Sequence, residues 1–140
     1  LNYVDGLIVN EKGAEDKSLV VTGMVKTTST LLPVGSAFTY LGTTYPVGST
    51  LGNSNLAASV TGSAEADPSQ ADVVYIPNAD ATGFDQYFYS SLAGLDGWLN
   101  AATFAPAGDV ELSSGIIVSQ SGTGAAFNAV QSAPAFYADL

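Results

Sequence analysis

The side chains available for chemistry are almost all carboxylates. The chain of 140 residues carries 13 Asp and Glu, and its only basic residues are Lys12, Lys17 and Lys26; it has no His and no Cys. Thiol nucleophiles and the usual zinc, copper and haem ligand sets are therefore excluded. A serine nucleophile would need lysine as its base, and no lysine stands in a Ser-x-x-Lys context. No glycine-rich loop opens a helix to cradle a phosphate. Two carboxylates suffice for glycoside hydrolysis, but nothing in the spacing of these acids selects a pair. The sequence points away from an enzyme.

Three sets of residues remain for binding or assembly. Asn78, Asp80 and Asp85 bracket one loop, and Asp67 and Asp72 flank the loop before it. Calcium takes oxygen ligands of this kind and is the one cofactor worth considering. The spacing matches no EF-hand, however, and Asp and Asn at turns more commonly bond the backbone. The aromatics Tyr87, Tyr89 and Trp98 could stack on a glycan, or could fill a second sheet face or a subunit interface; Trp98, between Gly97 and Leu99, reads as buried. The third set is Leu1, Tyr3, Val4, Leu7, Ile8 and Val9. These form an apolar, β-prone stretch ahead of a polar tether, residues 10–17, that carries Lys12 and Lys17.

The elements that must position these residues are short strands. Residues 71–90 read as a hairpin. Two β-rich runs, 73–76 and 84–89, flank Pro77-Asn78-Ala79-Asp80-Ala81-Thr82-Gly83, a run of turn formers. Alternation puts Phe84, Gln86 and Phe88 on one face of the second run and Asp85, Tyr87 and Tyr89 on the other. Further strands are expected over 18–28, 37–41, twice within 109–119, and over 125–130. Pro33-Val34-Gly35-Ser36 recurs as Pro46-Val47-Gly48-Ser49, which predicts two similar sheet corners. One short helical turn is expected near 54–60, capped by Ser54 or Asn55. Many short strands punctuated by Gly and Pro predict an all-β fold, a single-domain sandwich or partly open barrel of antiparallel strands. Residues 18–140 form its body. Residues 1–17 are a strand and tether that either pair back as a hairpin with 18–28 or leave the domain.

Composition narrows the class of partner. Charged residues make up 11% of the chain, well below the roughly 25% of average soluble domains. Small neutral side chains take their place, and these are covered by a neighbour at low entropic cost. The net charge of −10 argues against nucleic acid and anionic membrane, and no apolar run is long enough to cross a membrane as a helix. From Thr27 onward there are nine acids and no base, so the lysines of the N-terminal segment are the cationic surface an acidic body would meet. The chain begins at Leu1, as a processed exported chain or a fragment would.

Several short motifs carry a resemblance. They are Tyr45-Pro46-Val47-Gly48-Ser49-Thr50-Leu51 with Ser54 and Leu56, Ala71-Asp72-Val73-Val74-Tyr75-Ile76-Pro77-Asn78, Asp85-Gln86-Tyr87-Phe88-Tyr89, Gly97-Trp98, and Ser114-Gly115-Ile116-Ile117-Val118. In order and spacing these resemble a family of exported, uncharacterised all-β proteins of Verrucomicrobia and related bacteria. The resemblance spans roughly residues 20–130. It implies secretion and an all-β fold, and it implies no activity. The family pattern often has a basic residue after Gly-Trp; Leu99 stands there in this chain, so no ligand role is carried over to that position.

Together these readings predict a secreted, non-catalytic structural subunit at the cell surface or outside the cell. Copies would join head to tail into a filament or surface layer, the N-terminal strand of one completing the sheet of the next. The alternative is a cell-surface binding module for glycan or calcium.

Overall fold

Alternating burial along residues 30–34 marks a strand at the first described element. Thr30, Leu32 and Val34 point inward, and Leu31 and Pro33 point out. The structure, a computed structural model, describes residues 26–139 apart from 43, 46, 81 and 123. The expected strand 1–9, its tether and most of the strand expected over 18–28 lie outside the described residues. Seven strands follow in order: β1 (Thr30–Val34), β2 (Phe38–Leu41), β3 (Val73–Pro77), β4 (Phe84–Ser90), β5 (Gly97–Asn100), β6 (Ile116–Ser119) and β7 (Phe127–Gln131). They form two antiparallel sheets. One has five strands in the order β2-β6-β3-β4-β5, and the other pairs β1 with β7. The all-β expectation holds.

The hairpin forms as expected, with Val73 opposite Phe88 and Pro77 opposite Phe84. Its loop closes on Asn78, whose amide N–H donates to the Gly83 carbonyl (3.1 Å) while its Oδ1 accepts the Gly83 N–H (3.0 Å). The helical turn expected near 54–60 is a 3-10 turn over Leu56–Ala58. Asn55 sits there in the left-handed region and makes no side-chain cap, while Ser54 Oγ accepts the Leu56 N–H at 3.4 Å. Two more 3-10 turns form, at Pro68–Gln70 and Ala135–Asp139. The first follows from Asp67, whose carboxylate accepts the Ser69 N–H, and from Pro68 at the first position.

Three expectations are corrected. The two Pro-Val-Gly-Ser copies are not equivalent corners. Pro33 and Val34 lie inside β1, whereas Gly48 turns with φ +71°. Proline is tolerated in β1 because that strand is an edge. The stretch 109–119 yields one strand, β6, plus an isolated bridge between Thr50 and Glu111. The last strand runs to Gln131 rather than ending at 130.

The main core lies between the sheets. Leu32, Val34 and Ala129 from the small sheet meet Leu41, Val74, Ile76, Tyr87, Trp98 and Val118 from the large one. A second, smaller cluster sits on the opposite face of the large sheet, where Phe88 and Leu99 pack with Ala66 and Ala71. Full burial of each Val, Leu, Ile or Phe among them contributes about 1.5–3 kcal/mol. Loops are tied in by Asp72, which is buried. Its carboxylate accepts the backbone N–H groups of Thr61 and Ser121, both at 2.8 Å, joining the start of β3 to two connections distant in sequence.

Candidate functional site

Strand parity decides what each face of the five-stranded sheet presents. Residues paired across strands share a face, so Val74, Tyr87 and Val118 face the small sheet together. Tyr89 and Trp98 are a register pair on that same inner face, their rings edge to face with centroids 5.8 Å apart. Tyr87 and Trp98 are only 7% and 4% exposed, so neither offers a ring face to a ligand. Tyr89 is half-buried against the same core, and its hydroxyl reaches Asp96 Oδ1 at 3.4 Å. Burial first, and a neighbouring carboxylate second, push both phenols above their ordinary value of 10.0; the carboxylate is Asp85 for Tyr87 and Asp96 for Tyr89. The aromatics chosen from sequence as ligand-facing are thus mainly core residues.

The outer face presents a different set. Tyr40, Ile117 and Tyr75 stand in one cross-strand row, and Phe38, Ser119 and Val73 in the next. Phe38 and Tyr40 are 64% and 54% exposed, and Phe84, opposite Pro77, is 47% exposed. The Phe38 and Tyr75 rings are 6.1 Å apart at centroid. None of these outward residues of β2, β3, β4 and β6 carries a charge. A groove of about 420 Å³ adjoins the strip, lined by Pro68, Ser69, Val73, Phe84 and Gln86 among others, with Asp85 its one acidic residue. The sequence signal for this face was the aromatic content of 37–41 and Tyr75. Without knowing which side the small sheet covers, it could not be told from core.

Of the calcium candidates, Asn78 and Asp80 meet at Thr82, where Asn78 Nδ2 donates to Thr82 Oγ1 at 3.4 Å, and Asp85 stands apart. Asn78 is engaged with Gly83, and Asp80 Oδ1 accepts the Thr82 hydroxyl at 2.9 Å. Asp85 belongs to β4, in register with Ile76. Among the described residues no group of three or more acidic side chains that could hold a metal ion is found.

The edges of the two sheets differ in how they end. Beyond β5, the segment 105–107 bonds back, with Asn100 N–H to the Ala105 carbonyl (3.0 Å) and Ala107 N–H to the Trp98 carbonyl (2.8 Å). Beyond β7, Val130 N–H donates to Ser59 Oγ (3.1 Å) and Ser132 N–H to the Ser54 carbonyl (2.8 Å). The remaining edges are β1 and β2. They are two halves of one bent stretch, turned at 35–37, where Gly35 N–H donates to Thr39 Oγ1 (2.7 Å). Among the described residues no strand lies beyond either. Pro33 removes one N–H from β1, but Phe38-Thr39-Tyr40-Leu41 has no proline and no charge. Natural edges are normally blunted by such residues or covered. The N-terminal residues Leu1, Tyr3, Val4, Leu7, Ile8, Val9, Lys12 and Lys17 fall outside the described residues.

Comparison of the chain with protein-family models, with curated proteins and with solved structures finds no match. Among the described residues no helix is long and apolar enough to cross a membrane.

Proposed function

We propose that this chain is an exported structural subunit without catalysis, which builds an extracellular filament or surface layer by head-to-tail strand addition. Residues 1–9 of one copy lie along the β2 edge of the next. Backbone hydrogen bonds supply affinity, and alternate side chains (Leu1, Tyr3, Leu7, Val9) supply fit. Such a contact is heterologous, does not close on itself, and therefore propagates. Lys12 and Lys17 in the tether meet an acidic neighbour. The resemblance to exported Verrucomicrobial proteins belongs to the same proposal.

The observation that carries the reading is the contrast between edges. Beyond β5 and β7 other segments bond back, whereas β2 ends the large sheet with an uncharged, proline-free strand and no strand beyond it among the described residues. Nine residues extend about 30 Å at ~3.3 Å each, enough to run the length of β2 and past the bend into β1.

The test is deletion of residues 1–10, followed by negative-stain microscopy and sedimentation of both proteins. The full chain is expected to form filaments or large assemblies that the deletion abolishes while its melting temperature stays measurable and cooperative. Assemblies that persist unchanged without residues 1–10 would remove the proposal.

A further inference from the structure

We infer that the part of the outer face left open beside the Phe88 cluster is a binding platform for a neutral glycan, centred on Phe38, Tyr40 and Tyr75. It rests on the face of the sheet and not on its edge, so it stands or falls independently of strand addition.

Size argues for a small partner. Phe38, Tyr40 and Phe84 are 64%, 54% and 47% exposed, leaving on the order of 100 Å² open on each and about 300 Å² together. A stable protein interface buries about 800 Å² on each side, so this strip alone is short of what a second copy would need. It is nonetheless comparable with the largest patch a typical single domain exposes, about 300–600 Å², which is often functional.

Charge argues for a neutral one. The chain carries −10 overall, and the outward residues of β2, β3, β4 and β6 contribute no cation. An anionic polymer has nothing here to pair with. Sugars present apolar C–H faces that lie on aromatic rings, with hydroxyls at their rims. The strip offers the rings, and the adjoining groove of about 420 Å³ offers Ser69, Gln86 and Asp85 as hydrogen-bonding groups beside the apolar Val73 and Phe84. The arrangement of rings first, polar groups alongside, is that of an amphipathic ligand site.

The experiment is isothermal titration of the full chain with cello-, malto- and laminari-hexaose, and with heparin as the anionic probe. Trp98 is buried on the other face, so its fluorescence would miss the event and heat is the better readout. At least one neutral oligosaccharide is expected to bind saturably, with affinity about tenfold weaker in Phe38→Ala and Tyr75→Ala, whose far-UV circular dichroism matches the parent. No binding by any neutral oligosaccharide, or equal binding by the variants, overturns the inference. So does loss of self-association in the two variants without any glycan binding, which would make the strip a contact between copies.

Discussion

Phe38 on β2 lies against Tyr75 on β3, ring centroids 6.1 Å apart and planes tilted by 59°, although β6 runs between their strands. Ser119 permits this. It stands between Phe38 and Val73 in the cross-strand row, and its small side chain leaves the larger rings room to meet diagonally. The pair is on the outer face, not in the core. Phe38→Ala and Tyr75→Ala are accordingly expected to change stability by no more than about 1 kcal/mol. Urea unfolding of each variant checks this. Losses comparable to a core aromatic, about 3–5 kcal/mol, would mean that the strip is structural.

Asp72 is the buried acceptor for two backbone N–H groups from distant connections. Asp72→Asn keeps the shape but turns an amide N–H₂ toward one of those donors. A loss of about 2–3 kcal/mol is expected, read as a lower urea midpoint with an unchanged slope.

Gly48 turns with φ +71°, and a Cβ added there would lie 2.5 Å from the Phe136 ring. Gly48→Ala therefore meets both backbone strain and a clash. About 1–3 kcal/mol of destabilisation is expected, and the double change Gly48→Ala with Phe136→Ala should recover the steric part. Thermal melts of the three proteins distinguish the two terms.

Tyr87 and Tyr89 have phenol groups shifted upward, by burial first and by a nearby carboxylate second. The fold thus favours their protonated form. That stability is fully present below the ordinary value of 10.0 and is lost as pH rises through their folded values. Absorbance of tyrosinate should show a late fraction in the native chain that is missing in urea, and Tyr87→Phe should shrink it.

The hairpin was legible because its turn formers cluster and its strands are β-rich, so local signals agreed with the fold. β1 was hidden by Pro33 and Gly35, which read as a corner. Only the knowledge that β1 is an edge explains why proline is tolerated inside it. The exposed aromatics were hidden for a longer-range reason. Tyr40 and Tyr75 look no different in sequence from Tyr87, and the small sheet, assembled from residues as far apart in sequence as Thr30 and Gln131, decides which face it covers. Asp72 looked like a loop acid because its partners, Thr61 and Ser121, are named only by the fold.

Strand addition at β2 is most directly tested by cysteine pairing, since the chain has no native cysteine to interfere. Tyr40→Cys would be combined in turn with Tyr3→Cys, Asp5→Cys or Leu7→Cys, the proteins oxidised mildly, and the products run on a non-reducing gel. Head-to-tail addition predicts that at least one pair gives a ladder of covalent oligomers that collapses to the single chain on reduction. Crosslinked material of single-chain size alone, with no ladder from any pair, would place the N-terminal strand on its own domain and contradict the account.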